Sequence, residues 1–198
     1  MHNVEFKAEL RDLSLARAIS LKLGATHAGD MRQVDTYYKV ATGRLKRREI
    51  TFLDEAGKGE PPEVEYIFYD RPDLTTPRLS HYVVYDEPTA RERFGTRDLP
   101  VELVVAKTRR LFLTGPVRIH LDEVEGLGTF IEFEAVVSRA HTVRSCHEML
   151  AKLRTDFQPA LGEAIAVSYS DLQRIEQQTQ AEAVGDPFGL GEASARDD

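Results

Sequence analysis

Basic residues recur at every second position in two stretches of this chain, and acidic residues do so in a third. Arg44, Lys46 and Arg48 form one such set and Lys107 with Arg109 another; Arg118, His120 and Asp122 form a mixed set, and Glu132 with Glu134 an acidic one, beside Glu5 near the start. A period of two places each set on one face of a β-strand. Like charges at i and i+2 on one face lie about 7 Å apart and repel, so a face that gathers several cations calls for an anion. A polyphosphate meets that need, because Arg grips its oxygens bidentately and Lys adds point charges. Clustered carboxylates are natural ligands of Mg²⁺ or Mn²⁺. The two sets together match a metal–triphosphate complex. His120, between Arg118 and Asp122, is either a candidate general base that nearby cations keep neutral or a structural histidine orienting Asp122, with metal-bound water or a Glu at the metal as the alternative base.

Taken one strand at a time, polar alternation is also what a solvated sheet face produces. That reading suits Arg47, Glu49 and Glu123, which have the opposite parity and belong on an outer surface. Similar sorting on several strands favours a closed barrel with charge inside. The alternate positions Val4, Phe6, Ile119, Leu121, Ile131 and Phe133 then face outward and need helices to cover them.

The elements needed to build this are legible. Residues 2–10 alternate as a first strand. Asp12 caps a helix over 13–23 that Gly24 ends. Strand-like runs follow near 33–40, 44–53, 63–71, 79–85, 101–113, 117–124 and 129–137, parted by short Gly, Pro and Asp turns that imply antiparallel hairpins. A short helix is expected over 87–95, a longer one over 141–155 with Val143, Cys146, Met149, Leu150 and Leu153 on one face, and a last amphipathic segment over 168–180. The fold class is α+β: a closed antiparallel β-barrel with helices packed outside. Residues 1–182 form one domain and 183–198, rich in Gly, Pro and acid, a flexible tail.

With 198 residues there is chain enough for one sizeable core, and a net charge of −7 excludes a general attraction to nucleic acid or an anionic membrane. No run approaches the ~20 apolar residues of a membrane span, and the polar opening is no signal peptide, so a cytoplasmic location is expected. The lone Cys146 excludes an internal disulfide and reads as a buried small hydrophobe. Oligomeric state stays open between a monomer and a homodimer.

Eight landmarks occur in order: Asn3-Val4-Glu5-Phe6-Lys7-Ala8, Asp35-Thr36-Tyr37-Tyr38, Gly43-Arg44-Leu45-Lys46-Arg47-Arg48-Glu49, Tyr69-Asp70-Arg71-Pro72-Asp73, Lys107-Thr108-Arg109-Arg110, Arg118-Ile119-His120-Leu121-Asp122, Ile131-Glu132-Phe133-Glu134 and Ser168-Tyr169-Ser170-Asp171-Leu172. Over roughly residues 2–175 the chain resembles the CYTH, or triphosphate tunnel metalloenzyme, family, most closely its class IV adenylyl cyclase-like branch. The resemblance implies a tunnel of about eight antiparallel strands. It also implies that Glu5, Asp122, Glu132 and Glu134 hold Mg²⁺ or Mn²⁺ and that Lys7, Arg44, Lys46, Arg48, Arg71, Lys107, Arg109 and Arg118 line the phosphate path; Lys7 and, by its parity, His120 are the candidate catalytic residues. The family's N-terminal Glu-x-Glu-x-Lys reads Asn3, Glu5, Lys7 here, so one carboxylate is replaced by an amide that keeps an oxygen ligand.

Two reactions suit such a site. The ligand's own 3′-hydroxyl can attack, giving cyclic AMP and pyrophosphate from ATP, or water can attack, hydrolysing tripolyphosphate, thiamine triphosphate or a nucleoside triphosphate. A non-catalytic sensor of a small triphosphate is the alternative of a different class. Tyr37, Tyr38, Tyr69 and Tyr82 are candidates to stack on a base.

Overall fold

The computed structural model describes residues 2–55, 57–70 and 75–185. Eight antiparallel strands follow one another around a barrel: β1 (His2–Leu10), β2 (Thr26–Tyr38), β3 (Arg44–Phe52), β4 (Glu63–Asp70), β5 (Arg78–Tyr85), β6 (Val101–Thr114), β7 (Val117–Val124) and β8 (Gly128–Val136). The order around the wall is β5-β4-β3-β2-β6-β7-β8-β1, and β1 closes it by pairing Glu5 with Arg78 and Asn3 with Ser80 on β5. Closure leaves no edge strand among the eight.

Four helices pack against the barrel: α1 (Leu13–Lys22), α2 (Glu87–Phe94), α3 (Val143–Phe157) and α4 (Tyr169–Gly185). The first three begin at side-chain caps, Asp12, Asp86 and Thr142, each accepting the backbone N–H three residues on. The core lies between helices and wall. Val4, Phe6, Ile119, Leu121, Ile131 and Phe133 are all buried against Ala16 of α1 and Cys146, Leu150 and Phe157 of α3. That sends the other parity of β1, β7 and β8 inward. At the hairpin between β2 and β3 the backbone takes φ +66° at Gly43, where a Cβ would also lie 2.6 Å from the Phe68 ring, so only glycine fits.

The second strand starts at Thr26, well before the expected 33, because Thr26-His27-Ala28-Gly29 lacks apolar alternation and carries a register shift against β6. A short ninth strand, β9 (Leu161–Ala164), pairs with Ala8 and Leu10 of β1, beyond the residues that close onto β5. The last helix runs on through Gly185, past the expected boundary at 182, and the rest of the expected tail lies outside the described residues. Among the described residues no helix is long and apolar enough to cross a membrane.

Candidate active site

A cavity of about 480 Å³ runs inside the barrel. Lys7, Lys46, Arg48, Lys107, Arg109, Arg118, His120, Glu5, Glu132 and Glu134 all line it, each from the strand and parity expected. Arg47 and Glu49 pair with one another on the outside, as do Arg110 and Glu123.

Charge inside is grouped. On β2, β3 and β6 the cations gather around one carboxylate that parity alone had not singled out. Asp35, 1% exposed, accepts from Arg48 at 2.6 and 2.7 Å, from Lys46 at 2.9 Å and from Lys107 at 3.2 Å. Burial opposes its ionisation, but Arg48, Lys107 and Lys46 outweigh it and hold the carboxyl well below the usual range. One negative charge against three positive ones leaves this cradle cationic. Burial in turn lowers Lys107 to about 7, against the pull of Asp35, and Lys46 to about 8, with Arg48 adding to the burial. Tyr37 and Tyr69 stand beside Lys46, and Tyr169, at the start of α4, lies 4.1 Å from Lys7 and 5.4 Å from Lys107 by ring centroid. These tyrosines join Leu103, Val105, Val124 and Phe130 in an apolar cluster next to α4.

The acidic group lies on β1 and β8, where Glu5 faces Glu134 and Lys7 faces Glu132 in register. Each carboxylate is satisfied within the protein. Glu5 takes Arg78 at 3.1 Å; Glu132 takes Arg109 at 3.1 Å and Lys7 at 3.7 Å; Glu134 takes Arg118 at 3.2 Å and the Asn3 amide. Glu132 is held well below the usual carboxylate range because Lys7, His120 and Arg109 together outweigh its burial. His120 sits 3.4 Å from Glu132 and 3.8 Å from Glu134, and burial, then Arg109, lowers its pKa, so its imidazole is neutral near pH 7.

Two expected residues are placed differently from the rest. Asp122 has the inward parity but does not line the cavity: it is fully buried beneath Arg109, which clamps it at 2.7 and 2.6 Å, and the Tyr169 hydroxyl, which donates to it at 2.9 Å. Arg44 lines a second cavity of about 330 Å³ that shares Tyr37 with the first, and donates to Asp171 of α4 at 2.9 Å. Arg71 lies outside the described residues. Of the aromatic candidates, Tyr37, Tyr69 and Tyr82 line the main cavity, whereas Tyr38 stacks on Tyr66.

Among the described residues no cluster of three or more His, Cys, Asp or Glu is poised to hold a metal ion. The donor chemistry nonetheless fits one. Glu5, Glu132 and Glu134 line the cavity as hard oxygen donors, and the buried Oδ1 of Asn3, which lines it too, has no hydrogen-bond partner. An orphaned buried oxygen beside carboxylates suits a Mg²⁺ or Mn²⁺ ligand.

Comparison with known proteins agrees with this architecture. The CYTH domain profile matches residues 1–169, and the chain belongs to that family. No curated protein matches the sequence. In fold the chain is similar to the PH1012 protein of Pyrococcus horikoshii, with TM-score 0.64 and 18% identity over 86% of this chain and 98% of that one. It is also similar to a Vibrio parahaemolyticus protein provisionally described as an adenylate cyclase, with TM-score 0.65 and 17% identity over 88% and 98%. A third is HpAC1 of Hippeastrum, provisionally an adenylyl cyclase and described as having a dominant triphosphatase activity, with TM-score 0.55 and 14% identity over 89% and 96%.

Proposed function

We propose that this protein is a divalent-metal-dependent enzyme that cleaves a phosphoanhydride bond of a small-molecule triphosphate inside the barrel. The observation that carries the reading is the opposition, across one cavity of about 480 Å³, of a cationic cradle and a carboxylate group that includes an unsatisfied amide oxygen. A cavity of that size suits a single small ligand. Lys46, Arg48 and Lys107 bind the phosphate chain, with Lys7, Arg109 and Arg118 along the way. Glu5, Glu132, Glu134 and Asn3 would hold Mg²⁺ or Mn²⁺, which would supply positive charge against the phosphates. Lys7 and Arg118, paired with these carboxylates in the ligand-free protein, are then the cations available to turn toward the ligand. Asp122 serves by fixing Arg109, since both its oxygens are taken.

The nucleophile is an oxygen bearing a proton. It attacks phosphorus in line, the phosphoanhydride bond breaks, the leaving phosphate carries away the bond's electrons, and neutral His120 accepts the nucleophile's proton. Water as nucleophile gives hydrolysis, a reading supported by the triphosphatase activity described for HpAC1. The ligand's own hydroxyl gives cyclisation, supported by Met31, Ile67, Tyr82, Val84 and Leu111, an apolar part of the wall with no use for inorganic phosphate but suited to an organic head group.

Incubation with ATP, GTP, thiamine triphosphate and tripolyphosphate, with Mg²⁺, Mn²⁺ or excess EDTA, followed by chromatography of products, tests this. Metal-dependent orthophosphate or pyrophosphate is expected. Cyclic nucleotide plus pyrophosphate selects cyclisation; stoichiometric binding without product sinks both reactions and leaves a sensor.

A further inference from the structure

A buried carboxylate sits where an anion is to bind. A group in the position of Asp35 competes with phosphate for the same donors, and on that ground alone its removal should tighten polyanion binding. Its surroundings argue the reverse. Asp35 stands on β2, between β3, which supplies Lys46 and Arg48, and β6, which supplies Lys107. Its two oxygens are the shared point at which these three cations converge. Buried lysines shed their protons unless a negative charge holds them.

Arg48 and Arg109 push the proton of Lys107 off, and Asp122 on β7 helps Asp35 keep it on. From α4, Lys107 meets the ring of Tyr169, whose hydroxyl stays protonated because burial raises its pKa well above the usual value. Lys46 is opposed by Arg48 and Arg109 and otherwise meets the rings of Tyr37 and Tyr69, so Asp35 is the anion that keeps it charged.

We infer that Asp35 is a positioning residue, the internal counter-ion that keeps Lys46, Arg48 and Lys107 converged and charged, so that removing it weakens the tunnel's hold on a polyanion. The inference rests on the triphosphate reading only for the identity of that polyanion.

Asp35→Asn tests it by two measurements. Calorimetric titration with inorganic tripolyphosphate between about pH 6 and pH 9 should show affinity lowered about tenfold or more at neutral pH, the gap narrowing toward acid, where the lysines recover their charge. NMR titration of the lysine side chains without ligand, assigned through K46R and K107R, should show their midpoints moved to lower pH. Asp35→Glu, which keeps the charge, should restore most of both. Binding by D35N as tight as wild type or tighter, or lysine midpoints that do not fall, overturns the inference. Should D35N fail to fold, D35N/K107M against K107M alone, with one buried cation fewer, carries the same comparison: weaker binding supports positioning, equal or tighter binding refutes it. If wild type itself does not bind tripolyphosphate, the triphosphate reading fails while the lysine midpoints still judge Asp35.

Discussion

The cradle around Asp35 and the carboxylate group on β1 and β8 are built from the same residue types, yet they differ in what a ligand would have to undo. In the cradle three cations share one carboxylate, so donors are in surplus and already converge. At the carboxylate group every Glu has a basic partner, and the unpaired atom is a neutral amide oxygen. An anion therefore meets a prepared site, whereas a metal must displace ion pairs to reach its ligands. On the proposed function, this asymmetry would assign binding strength to the cradle and control of the chemistry to the carboxylates, since only the latter would change partners on taking up a metal.

The largest expected effect breaks the view that tunnel charges act on function alone. Charges that repel one another cost stability, so neutralising one should spare the fold wherever the charge has no buried partner of its own. Arg109, however, is clamped to fully buried Asp122 and also serves Glu132. Arg109→Ala strands a buried carboxylate and should destabilise by about 3–5 kcal/mol, measured by urea or thermal unfolding, besides abolishing turnover. Lys7→Ala, which removes a pair at 3.7 Å, a bond to the Val167 carbonyl at 3.4 Å and the contact with the Tyr169 ring but leaves Glu132 its Arg109, should abolish turnover with a smaller loss of stability than Arg109→Ala. Equal stability loss in the two variants would erase the distinction between clamped and loosely held cations.

Next in size is Glu132→Gln. It keeps the volume and removes the charge of one proposed metal ligand, so kcat/KM should fall roughly 100-fold or more, with the Mn²⁺ concentration for half-activity rising. Tripolyphosphate binding without metal should fall little or even strengthen, since Lys7 is freed while Arg109 stays held by Asp122. A loss of metal-free binding as large as the loss of turnover would mean that the two regions are not separate in role.

Most of this arrangement can be read from alternation, since β1, β3, β6, β7 and β8 each carry two or more charges of one parity. What escaped it is instructive. Asp35 lies between Gln33 and Tyr37 on its face, and Arg78 has no charged neighbour two positions away, so neither belongs to a periodic set. Both become central only through register, Asp35 beside Arg48 and Arg78 beside Glu5. Tyr169 comes from a helix at the far end of the chain and reaches Lys7, Lys107 and Asp122 through tertiary packing. Arg44 has the right parity, but it is the first residue of its strand, where Asp171 of α4 holds it beside a separate cavity.

The smallest predicted effect sharpens the comparison through pH. Lys107, at about 7, and Lys46, at about 8, have folded-state values below the ordinary ~10.4 of the unfolded chain. Over that window the unfolded state binds more protons, so the ligand-free protein should become more stable as pH rises through 7 toward 10, and least so below 7, where both lysines are charged in both states. Tripolyphosphate reverses the preference, because it needs the lysines charged and rewards the protonated form. The rise in melting temperature on adding it should therefore be larger at about pH 6.5 than at about pH 9, by a few degrees. In Lys107→Arg, whose charge does not titrate in this range, that difference should shrink. Glu132 contributes nothing of this sign, since it stays ionised throughout the range, whereas Lys7 beside it, lowered by burial, adds to the same trend. A ligand-induced shift that is flat between the two pH values would place the anion away from the cradle.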